Sequence, residues 1–192
     1  MGKSSKARKG TSWGAIRDFA VGALKEIAEL IVSGLSSGEG LIWEVRDAIF
    51  KRTPIKEKGR VVGYQDIEED PGVSDKRRIV LESEFARTLK VMTRETNILS
   101  SVIRQAYDSG ALRVMTKNTP AKATAAHICI LGHITSEELL RTMDSTESAN
   151  GFANRFLWMA VKRSKFLPEG GQCLDSELAP LQEEFRQAVE FA

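Results

Sequence analysis

Four short strand-like segments, each built on apolar residues, constrain this chain most: Leu30 to Gly34, Arg77 to Leu81, where two basic residues lead into Ile79-Val80-Leu81, Ala125 to Leu131 and Phe156 to Val161. Helical patterns separate them. Ser12 can cap a helix over about 12 to 28, with Ile16, Phe19, Ala20, Ala23, Leu24, Ile27 and Leu30 at three- and four-residue spacing. A second helix is expected from about Gly40 to Phe50, two more over 84 to 92 and 95 to 108, and a closing one from Leu178 to Phe191. Strands separated by helices argue for an α/β fold, a mostly parallel sheet with helices on both faces.

Residues 51 to 76 interrupt this alternation. They hold Pro54, Gly59, Gly63, Pro71 and Gly72 among many charges, and read as an excursion loop with a small strand at Arg60 to Tyr64. Leu112 to Met115 reads as one arm of a hairpin turning through Lys117-Asn118-Thr119-Pro120. Thr135 or Ser136 can cap a helix carrying Leu139, Leu140 and Met143. The whole chain of 192 residues reads as a single domain.

Composition excludes some classes. No apolar run reaches the ~20 residues of a membrane span, because Lys25, Glu26 and Glu29 interrupt the stretch from Phe19 to Leu35. The same residues leave no signal-peptide core, so a cytoplasmic protein is expected. Cys129 and Cys173 stand outside any CxxC or paired-histidine spacing and read as free thiols, Cys129 in the core. The formal net charge is +2, but Lys3, Lys6, Arg8 and Lys9 precede the first acid, Asp18. The basicity is local.

In open α/β sheets ligands bind beyond the carboxyl ends of the strands, so the polar residues there are the candidates for chemistry. Lys9-Gly10-Thr11-Ser12, opening a helix, supplies a lysine for terminal phosphates and a hydroxyl for Mg2+. Ala7 and Arg8 stand where a phosphate loop usually has glycine, and a flexible basic tail is the other reading. Glu39, in Ser37-Gly38-Glu39-Gly40, can orient and deprotonate a water or simply cap a helix. Glu82 and Glu84 close the run Ile79-Val80-Leu81, and Glu82, nearer the apolar residues, is the better Mg2+ candidate. His133 follows a buried strand and can sense a terminal phosphate, while His127 at that strand's start reads as structural. Arg155, entering a strand after a Gly/Asn turn, can reach a neighbouring subunit's nucleotide or pair with an acid. Arg113, Lys117 and Lys122 flank the hairpin turn and can grip a single-strand backbone.

In this order the segments SSKARKGTSW (4 to 13), SGLSSGEGLI (33 to 42), RRIVLESEFARTL (77 to 89), ILGHITSEEL (130 to 139) and NGFANRFLW (150 to 158) resemble the RecA-like, DnaB-type helicase ATPases. They are most similar to the helicase-like ATPase domain of phage, plasmid and integrative-element replication proteins. The resemblance implies a P-loop NTPase core binding ATP and Mg2+ and working as an oligomer, hexameric in DnaB-type enzymes. It gives Lys9 and Thr11 to the phosphates and Mg2+, with Ser12 as alternate hydroxyl. Glu39 becomes the general base, Glu82 the Walker B acid, His133 the strand-end sensor and Arg155 the finger acting in trans. It also implies a strand before the phosphate loop where Met1 stands. The expectation is a chain starting inside the domain, with residues 1 to 11 poorly ordered and neighbouring strands lacking a partner. Two further readings are a non-catalytic nucleotide- or DNA-binding assembly module, and a small phosphotransferase suggested by Lys9-Gly10-Thr11.

Overall fold

The computed structural model describes residues 9–115, 121–143, 147, 149–162 and 175–191. It is an α/β chain with a three-stranded parallel sheet and two small antiparallel ones. The chain divides into two compact units, the first comprising residues 1–34, 79–90 and 130–192 and the second residues 35–78 and 91–129.

The first unit opens with α1 (Lys9–Ala23), followed by a one-turn α2 (Ile27–Leu30) and β1 (Ile31–Val32). The expected continuous helix over 12 to 28 is thus broken at 24 to 26. Ala23, Leu24 and Ile27 are buried while Ile16 is exposed, so only the end of the apolar stripe enters the core. Ile31 and Val32 pair in parallel with Ile79 and Val80 of β4 (Arg77–Glu82). The sheet order is β1-β4-β7, with β7 running His127–Gly132. Beyond β4, α4 (Phe85–Met92) packs Phe85 and Leu89 into the core.

Thr135 caps α6 (Ser136–Thr142) through a full capping box with Glu138, as its sequence signature requires. Leu140 nevertheless points to solvent. A 3-10 turn, Ala153–Arg155, follows, and the last helix, α7 (Asp175–Phe191), lies against α1. There Gln182 donates to the Phe19 carbonyl and Arg186 to the Ala23 carbonyl, with the Phe19 and Phe185 rings 5.8 Å apart. Arg186 places a cation where the carbonyls at the end of α1 are left without helical partners.

The second unit contains α3 (Gly38–Trp43), the long hairpin β2 (Ile49–Glu57) and β3 (Arg60–Asp70), α5 (Leu99–Asp108) and a short antiparallel pair, β5 (Leu112–Arg113) with β6 (Lys122–Ala123). Leu41, Ile42, Val45, Leu99, Val102, Ile103 and Leu112 form its core.

Several expectations are corrected. The helix expected over 40 to 50 ends at Trp43, and residues 51 to 76 are no loop but largely a hairpin. Its turn works because Lys58 and Gly59 both take left-handed backbone (φ 48° and 80°), the signature of a two-residue turn between twisted strands. Cys129 is exposed, not core, because β7 lies at the edge of its sheet and alternates exposed and half-buried residues. Phe156 to Val161 forms no strand: Phe156 and Trp158 turn their rings into an aromatic cluster with Phe152 and Phe85, while Leu157, Met159 and Val161 face solvent. The expected disorder of residues 1 to 11 falls mainly outside the described residues; Lys9, Gly10 and Thr11 open α1.

Candidate functional site

The carboxyl ends of β4 and β7 are laced together. Glu82 closes β4 and is buried, and its Oε1 accepts the backbone N–H of Gly34 at 2.6 Å. Gly34 stands two residues beyond β1 with φ +96°, a conformation open to glycine at little cost. The Glu82 carbonyl accepts the His133 N–H at 2.8 Å, and the His133 carbonyl accepts the Phe85 N–H at 2.9 Å. Glu82, the last residue of β4, and His133, the residue after β7, therefore stand side by side at one end of the sheet. Gly132, which closes β7, is needed for space: a Cβ there would lie 2.7 Å from the buried Phe85 ring. Glu84 is exposed.

Gly10, Thr11 and Ser12 lie in the first turn of α1, all exposed. Lys9 opens the helix, and its side chain lies outside the described residues. Arg155 belongs to the 3-10 turn, a correction to its expected place at a strand entrance. Its Nη1 donates to the Gly151 carbonyl at 2.7 Å, and Asn150 accepts the Phe152 N–H, so the Asn-Gly loop folds back on the arginine. Phe152, with no exposed surface, anchors that loop. Also in this unit, an open cavity of about 750 Å3 is lined by Arg17, Asp18, Val21, Lys25, Ala28 and Ile31. No residue proposed from the sequence lines it.

In the second unit Ser37 caps α3, its hydroxyl accepting the Gly40 N–H at 3.0 Å, and Glu39 sits exposed in the first turn. The turn is seated firmly. A Cβ on Gly38 would fall 2.7 Å from both Ile98 and Val102, and Asn97 donates to the Ser36 carbonyl at 2.8 Å. Glu39 thus belongs to a different unit from Lys9, Thr11, Glu82, His133 and Arg155. Arg113 and Lys122 face each other across β5 and β6 and are exposed, with Lys122 Nζ 3.8 Å from Asp47; Lys117 lies outside the described residues.

Sequence reasoning missed a second polar centre. Asp47 accepts from Lys76 Nζ, from the Thr124 N–H and from the Thr124 hydroxyl, the last two at 3.0 Å. Burial works against its ionisation, but these hydrogen bonds outweigh it and hold the carboxyl below its usual range. Nearby, Arg46 grips Asp70 with two nitrogens at 2.9 to 3.0 Å and lies over the Trp43 ring. Asp70 also accepts the Gly72 N–H, and the Arg46 guanidinium followed by that N–H lowers its pKa. The Asp70-Pro71-Gly72 turn signature was the available signal for this clamp.

Among the described residues no group of three or more His, Cys, Asp or Glu can hold a metal ion, and no helix is long and apolar enough to cross a membrane. Compared with family models, with curated proteins and with solved structures, the chain matches none.

Proposed function

We propose that this chain is the ATP-hydrolysing motor domain of a DNA helicase or translocase, RecA-like in fold and oligomeric, of the kind used in mobile-element replication. The observation that carries the reading is the pairing of Glu82 and His133 at the carboxyl ends of adjacent strands, the place where open α/β sheets bind ligands.

A nucleotide-bound Mg2+ keeps most of its water and phosphate ligands and needs few from the protein. Glu82 would hold that ion with Thr11, while Lys9, Gly10 and Ser12 take the phosphates. Glu39 would accept the proton of the attacking water as the bond to the leaving ADP breaks. His133 would report the terminal phosphate, and Arg155 would complete a neighbour's site. Arg113, Lys117 and Lys122 would contact the single strand.

ATP hydrolysis measured with and without single-stranded DNA tests this. Glu39→Gln is expected to cut turnover at least 100-fold with nucleotide binding kept; hydrolysis that survives the substitution contradicts the base assignment. A second reading, a nucleotide-binding assembly module without turnover, draws on the engagement of Arg155 with its own Gly151 carbonyl. Binding without hydrolysis in the unaltered protein would select it.

A further inference from the structure

The β2/β3 ribbon is the largest feature that the ATPase reading leaves unused. Among its twenty strand residues only Ile49, Thr53, Gly63 and Asp70 are even half-buried. Val61, Val62, Tyr64 and Ile67 of β3 are all exposed, at 47 to 59%. A two-stranded ribbon with both faces in water is marginal by itself, and a run of exposed apolar residues on a long edge strand marks a pairing surface.

Its charges are sorted along its length. Lys56, Lys58 and Arg60 with the single acid Glu57 make the tip net cationic, whereas Asp66, Glu68, Glu69 and Asp70 are four of the last five residues of β3 and outnumber Lys51 and Arg52 beside them on β2. The two edges also differ. Pro54 removes a donor from the middle of β2, while β3 contains no proline. Register shifts skip Val62 and Glu69, leaving a regular stretch from Gly63 to Glu68 between them. The base is fixed by the Arg46 to Asp70 clamp, so the ribbon is held as an arm.

We infer that β3 pairs antiparallel with β3 of a second copy of this chain, about a two-fold axis at Gln65. That register sets Gly63 opposite the second copy's Ile67, and Tyr64 opposite its Asp66. Arg60 comes opposite its Asp70, and the cationic tip of each ribbon lies along the acidic base of the other. A parallel arrangement sets acids against acids, so charge fixes the direction. The contact is isologous and self-complementary. It does not rest on the ATPase reading, since no residue of the proposed nucleotide site takes part.

Sedimentation of the full chain tests the dimer, and disulfide trapping in a Cys129→Ser/Cys173→Ser background tests the register. Gln65→Cys chains are expected to cross-link to one another on mild oxidation, and Gly63→Cys chains to cross-link with Ile67→Cys chains in a mixture. Asp66→Lys/Glu68→Lys is expected to weaken the dimer at least tenfold, and mixing it with Lys56→Glu/Lys58→Glu chains to restore association. These positions are exposed, so the core is untouched. A monomer at all concentrations overturns the proposal, as does a dimer whose Gln65→Cys chains fail to cross-link. Loss of oligonucleotide binding on Lys56→Gln/Lys58→Asn/Arg60→Gln with no change in mass assigns the tip to nucleic acid and also overturns it.

Discussion

The Glu82 carboxylate and the Gly34 backbone N–H meet at 2.6 Å, joining the end of β4 to the loop that leaves β1. Gly34 itself is exposed, so removing the acceptor leaves its N–H to water, and the loss is that of one hydrogen bond to a charged, buried carboxylate. Glu82→Ala is therefore expected to lower unfolding free energy by about 1 to 3 kcal/mol. Glu82→Gln retains a carbonyl for Gly34 and should cost about half as much or less. Urea denaturation of the two variants checks the difference; equal losses would show that the hydrogen bond contributes nothing.

Gly132 closes β7 directly against the buried Phe85 ring. A methyl at this position meets the Phe85 ring, which has almost no exposed surface into which to retreat. Gly132→Ala is expected to destabilise by about 1 to 3 kcal/mol, the usual cost of overfilling a packed site. Thermal melting reads this directly, and a variant as stable as the parent would mean that Phe85 has room to move.

How much of this was legible follows from what each segment buries. Ile79-Val80-Leu81 sits in the middle of a sheet, so an apolar run closed by Glu82 announced the strand and where it ends. Thr135 and Glu138 form a local motif and needed no tertiary information. The β2/β3 ribbon buries almost nothing, so Ile55, Val61, Val62 and Ile67 follow no core-facing period and the segment read as a loop. Cys129 failed for the opposite reason. Ile128 to Leu131 around it are unbroken apolar residues, as in a strand covered on both sides, yet β7 is an edge. The bond from Gly34 to Glu82 spans 48 positions and left no local trace.

Acid should weaken the second unit through three carboxylates. Asp47 and Asp70 titrate below their usual range, and Asp75 is lowered to about 2 by the Arg77 side chain and N–H. A depressed folded pKa contributes stability that is complete above the unfolded value, near 4, and is lost as pH falls toward the folded one. Melting temperature is therefore expected to hold at pH 5 and fall between about pH 4 and 2. Asp47→Asn should lower stability by about 3 kcal/mol at pH 7, because Lys76 is left largely buried without its counter-charge, and should flatten this acid limb. An unchanged limb in that variant would remove Asp47 from the explanation.

Arg46 holds the ribbon to its base through a forked contact that lysine cannot reproduce. Arg46→Lys is expected to raise hydrogen exchange at Ile49 to Lys51 and Ile67 to Asp70 severalfold while α5 keeps its protection. Exchange rising equally in α5 would mean that Arg46 supports the unit and not the ribbon.

Nucleotide binding tests the central claim most directly. Titration of the full chain with a fluorescent, non-hydrolysable ATP analogue, with and without Mg2+, should show one site per chain that depends on the ion. Lys9→Ala and Glu82→Gln are each expected to weaken it at least tenfold, Glu82→Gln only when Mg2+ is present. Failure of the unaltered protein to bind, or binding indifferent to both substitutions, would contradict the account.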